Sequence, residues 1–138
     1  MDRKTPTLIL VTVMLFGPVA AWAHHSFAAE FDSNTPITLK GAITKVDFVN
    51  PHAWLYMNVT DANGKVVNWA IEIGAPNILI RRGFTKNSVA VGAEVTVEGF
   101  RAKDGSATAN GQTIKLPDGK QLFAGSNTTP GAPGGERQ

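Results

Sequence analysis

The stretch Ala53–Ile73 reads AWLYMNVTDANGKVVNWAIEI, and its reading decides the fold. Ala53, Leu55, Met57 and Val59 fall on one face, while Trp54, Tyr56 and Asn58 point the other way. Val67, Trp69, Ile71 and Ile73 repeat the same period after Asp61-Ala62-Asn63-Gly64. Alternation of this kind marks half-buried strands. A short polar run ending in glycine suits a tight hairpin turn. The segment therefore predicts two antiparallel strands with one shared inward face, on which Trp69 is a core residue.

Working upstream, Ile37, Leu39, Gly41 and Ile43 share a face. Beyond Lys45 the phase slips, and Val46 and Phe48 continue on even positions. A slip close to a mid-strand glycine predicts a bulge or bend in a long first strand that starts near Ile37. Asn50-Pro51 ends it. Downstream the period changes. Pro76 can open a short helix and Gly83 can end it, with Ile78, Leu79 and Ile80 as docking residues. Arg81 and Arg82 lie near its C-terminal end, where positive charge suits the helix dipole. Strand four is predicted over Glu94–Ala102 and strand five near Thr113–Leu116. The turn Pro117-Asp118-Gly119-Lys120 then precedes Leu122-Phe123. The order β-β-β-α-β-β predicts a mainly β fold: a small five-stranded OB-like Greek-key barrel over residues 37–125, with one short helix between strands three and four. A generic β-sandwich is the alternative.

The two ends read differently. Asp2, Arg3 and Lys4 precede an apolar run from Leu8 to Phe16, a Gly17-Pro18 break, and Ala21-Trp22-Ala23. This is the pattern of a secretory signal peptide over residues 1–23. The run is shorter than the ~20 residues that cross a bilayer, so cleavage after Ala23 is expected, without membrane insertion afterwards. The bacterial periplasm or the outside is the expected location. Residues 24–36 are expected to pack on the barrel, with Phe27 and Phe31 as pins. Ser126–Gln138 (SNTTPGAPGGERQ) reads as a disordered tail.

The chain has 138 residues and no cysteine, which excludes disulfides, thiolate metal sites and cysteine nucleophiles. Its net charge is +2, with acidic and basic residues interspersed and no Lys/Arg block, so no nucleic-acid partner is expected. There is no glycine-rich phosphate loop, no H-E-x-x-H and no G-x-S-x-G. Nothing marks a catalytic carboxylate pair among Glu72, Glu94 and Glu98.

All three histidines fall in two places. Cleavage would make His24 the first residue, followed by His25, and His52 lies between strands one and two. An N-terminal histidine offers its amine and Nδ1 as one chelate, and a second imidazole adds a third nitrogen. Nitrogen donors in that array suit copper first and zinc second. The metal candidates are therefore His24, His25 and His52, with Glu30 and Asp32 as outer carboxylates for a ligating ring. Trp54 and Tyr56, on the non-core face of strand two, are an alternative ligand face for a small glycan or a protein partner. The expected role is a non-enzymatic binding module, although an open copper site would also allow redox chemistry.

The runs HHSFAAEFD (His24–Asp32), TLKGAITKVDFVNPHAWLYMNV (Thr38–Val59), NWAIEIGAPNILIRRGF (Asn68–Phe84), VGAEVTVEGFRAKDGS (Val91–Ser106) and LPDGKQLFAG (Leu116–Gly125) resemble a family of short exported bacterial proteins, known only as a domain of unknown function. HHSF and NPHAW mark the resemblance. It implies a periplasmic β-barrel and supports signal cleavage, and it implies no activity. A looser, fold-level similarity is to small periplasmic OB-fold proteins of bacteria, whose role is ligand or cation binding.

Overall fold

The computed structural model describes residues 27–126. The fold is mainly β, with two short helices, α1 (Phe27–Glu30) and α2 (Pro76–Arg81). The strands are β1 (Phe31–Asp47), β2 (Trp54–Thr60), β3 (Val66–Glu72), β4 (Glu94–Ala102), β5 (Thr108–Lys115) and β6 (Gln121–Phe123). They make one six-stranded sheet of order β3-β2-β1-β4-β5-β6, with a further pairing of β3 to β5. That pairing is parallel and joins Ala70, Ile71 and Glu72 to Thr108, Ala109 and Asn110. The other pairings are antiparallel.

The β2–β3 hairpin forms as its alternation predicts. Leu55 pairs with Ile71 and Met57 with Trp69, and all four are buried. Asp61 organises the turn: its carboxylate accepts the backbone N–H groups of Asn63 and Lys65 at 2.8 and 3.0 Å. Gly64 takes φ +80°, a conformation that an L side chain rarely adopts.

β1 differs from its predicted form at its start. It begins at Phe31 rather than near Ile37, because Phe31 pairs with Ala102 before the register shifts to Pro36 opposite Phe100. Its bulge lies between Ile43 and Lys45, where the phase slip predicts it. Gly41 serves close packing: a Cβ there would lie 2.0 Å from the Asn58 carbonyl oxygen.

α2 has Pro76 in its first turn, where the missing N–H is harmless, and Gly83 follows it at φ +80°. Leu79 is its buried residue, and that burial is worth roughly 1.5–3 kcal/mol. Ile80 was expected to dock but faces solvent, 55% exposed. A six-residue helix offers one narrow buried stripe, and Leu79 fills it. β4 spans Glu94–Ala102 as predicted. β5 starts five residues earlier than predicted because its first half, Thr108–Gln112, is small and polar. Gly111 there lies under Ile71, Ile73 and Val97, where a Cβ would come within 2.8 Å of the Ile71 methyl. The partners supply the apolar volume. The core includes Leu39, Ile43, Leu55, Met57, Trp69, Ile71, Leu79, Phe84, Val97 and Ile114.

Candidate functional site

The outward face of β2 and its neighbours carries the side chains capable of chemistry. Directly paired residues share a face. One row therefore runs Asp47, Trp54, Glu72, Asn110 across β1, β2, β3 and β5, and the next runs Lys45, Tyr56, Ala70, Thr108. His52 immediately precedes β2 in the Trp54 phase, so it lies beyond Trp54 and diagonal to Glu72.

The pair this produces is close. Nδ1 of His52 lies 2.8 Å from Oε1 of Glu72. The His52 side chain is 35% exposed and the Glu72 side chain 11%. A carboxylate only accepts, so the imidazole donates from Nδ1. In the neutral ring this leaves the lone pair on Nε2. The Ala53 main chain holds the pair from behind: its N–H donates to the Gly74 carbonyl at 3.1 Å, and its carbonyl accepts from Ile73 N at 2.9 Å. The Asn50-Pro51 peptide bond before His52 is cis.

Of the other predicted metal candidates, His24 and His25 lie outside the described residues. Among the described residues, no group of three or more His, Cys, Asp or Glu side chains is gathered to hold a metal. Asp32, expected as an outer carboxylate, bonds back onto its own strand segment near the start of β1. It accepts the Asn34 N–H at 2.9 Å and the Thr35 hydroxyl at 2.8 Å, and these bonds hold its carboxyl below the ordinary value. Glu72 takes the place beside the imidazole. Glu98 is bound to Lys115 at 2.8 Å and does not join it.

The two aromatics of the predicted ligand face have separate surroundings. The Lys45 ammonium stands 5.2 Å from the centre of the Tyr56 ring. It is fixed there by Asp47 at 2.6 Å, whose carboxylate raises the ammonium pKa. Trp54 lines a groove of ≈ 340 Å³ that Tyr56 does not reach. The other wall is Ala29–Phe31 with the β4–β5 turn. This wall is tied down. Phe27 stacks on Phe31 at 5.7 Å and meets Phe100 edge-on at 5.6 Å. Lys103 donates its ammonium to the Ala28 carbonyl and its backbone N–H to the Glu30 carbonyl. The helix leading in from the N-terminal side thus borders the groove that Trp54 lines, two residues from His52.

Sequence reasoning missed Glu72 as the partner of His52, and the signal that could have found it lies in the hairpin. The Asp61–Gly64 hairpin sets Trp54 opposite Glu72, and a histidine two positions before Trp54 falls on the same side.

Residues 13–112 match the family of unknown function DUF6152. The chain belongs to this family. No curated protein and no solved structure matches the chain. Among the described residues no helix is long and apolar enough to cross a membrane.

Proposed function

We propose that this member of DUF6152 is an exported, OB-like barrel that binds a transition metal, copper first and zinc second. In this reading His52 acts through Nε2, together with the amine and ring of His24, and His25 is a substitute or third ligand. The observation that carries it is the His52–Glu72 contact. A ligating imidazole is commonly oriented by a carboxylate on its other nitrogen, which fixes the tautomer and raises ligand basicity. The neighbourhood supports it too. α1 borders the Trp54 groove, and the three residues from His24 to Phe27 reach up to about 10 Å. The barrel reading rests on the strand pairings: β1 pairs with both β2 and β4, and β5 pairs with both β4 and β3.

The test is mass spectrometry of the product exported by a bacterial host, with bound copper quantified for wild type and His52→Ala. The expected result is a chain beginning at His24 with one copper, lost on substitution. A different first residue, or equal metal in both proteins, overturns the reading.

A further inference from the structure

We propose that the groove beside Trp54 is a second binding site, independent of the metal, for a neutral sugar ring. Its volume of ≈ 340 Å³ lies at the small end of small-molecule pockets. Its lining mixes apolar surface, from Trp54, Phe31, Ala29 and Ala102, with the polar Glu30, Lys103, Asp104, Ser106 and Thr108. Among the described residues, neither the Trp54 indole N–H nor the Thr108 hydroxyl has a side-chain hydrogen-bond partner, and neither atom is sealed from solvent.

Asp104 is prepared as an acceptor. Ser106 beside it, through its side chain and through a backbone N–H bond at 2.9 Å, holds its carboxyl below the ordinary value, so it stays ionised. That N–H bond leaves carboxylate lone pairs unused. Lys103 spends one ammonium proton on the Ala28 carbonyl, at 2.6 Å, and keeps others. Charge then selects the ligand class. Glu30 and Asp104 oppose an anion, and the Lys103 ammonium in the same lining opposes an organic cation. A neutral molecule with a C–H face for the indole and a rim of hydroxyls suits this mixed lining, and a pyranose has that form.

The experiment follows the Trp54 indole N–H resonance of the exported protein, and the heat of binding by calorimetry for wild type and every variant, in EDTA, so that the metal has no part in the result. The probes are maltotriose, cellobiose and N,N′-diacetylchitobiose, each titrated into the millimolar range. At least one is expected to shift the resonance saturably. Trp54→Ala should weaken that binding at least about tenfold. Ser106→Tyr, at an exposed position, fills the groove with Trp54 intact and should abolish it. Tyr56→Ala should leave it unchanged. The proposal is overturned if no probe saturates, if Ser106→Tyr binds as wild type does, or if tetramethylammonium or phosphate occupies the groove instead.

Discussion

Replacing Glu72 by glutamine removes one charge and little volume from the contact with His52. The amide oxygen can still accept from Nδ1, so the ring keeps its orientation and the substitution isolates the electrostatic part. A metal on Nε2 lies about 2 Å beyond the ring. With the 2.8 Å contact on the far side, that places it roughly 7 Å from the carboxylate. A doubly charged ion at that distance gains about 1 kcal/mol at the dielectric of water and about 5 kcal/mol at an effective dielectric of 20. The half-exposed imidazole belongs in the lower part of that range. Loss of an outer carboxylate typically weakens metal binding about 10–100-fold, or about 1.4–2.7 kcal/mol, which agrees. Competition of the exported protein with a chromophoric Cu(II) chelator measures it. Glu72→Gln should weaken copper by that factor, and His52→Ala by at least as much. Circular dichroism and thermal melts establish that both variants are folded. Copper affinity unchanged in Glu72→Gln but lost in His52→Ala would refute the electrostatic coupling. Affinity unchanged in both would refute His52 as a ligand.

Gly99→Ala should destabilise the fold by at least about 3 kcal/mol in urea unfolding, because the new methyl would lie 2.0 Å from the Asn110 carbonyl oxygen. Gly64→Ala, at φ +80° with nothing within 4 Å, should cost only about 1–2 kcal/mol; equal losses would contradict the close-approach reading. Leu79→Ala removes the buried anchor of α2 and should cost about 2–5 kcal/mol in the same assay. Asp32→Asn tests a pH dependence. A carboxyl whose pKa is lowered by folding stabilises above its ordinary value of 3.8, and that contribution disappears as pH falls through the lowered value. The variant should therefore melt below wild type at pH 7, and the gap should close in acid; a gap independent of pH would exclude the carboxylate bonds as its source.

The strands with regular alternation were readable from their residues. β2 and β3, and β4 through Val95 and Val97, carry large apolar side chains on every second position, and the period alone announces them. β5 was half hidden because Ala109 and Gly111 leave room for side chains of other strands, so its apolar signal resides in Ile71, Ile73 and Val97. The start of β1 was hidden for a related reason: Asp32, Ser33, Asn34 and Thr35 are polar, and the strand begins where Phe31 meets Ala102. At the candidate site, His52 stood out by scarcity. Its carboxylate did not, since Glu72 looks like any outward strand residue until the pairing with Trp54 is drawn. Nearness in sequence favoured Asp32, yet its short side chain closes on its own turn.

The two arms of the hairpin put Leu55 and Met57 against Ile71 and Trp69 inside, and bring His52 beside Glu72 outside. A slide of one arm past the other by a single position would expose the isoleucines and, in the same stroke, tear the imidazole from its acid. The contact is thus a mark of workmanship: only a molecule assembled in correct alignment carries it.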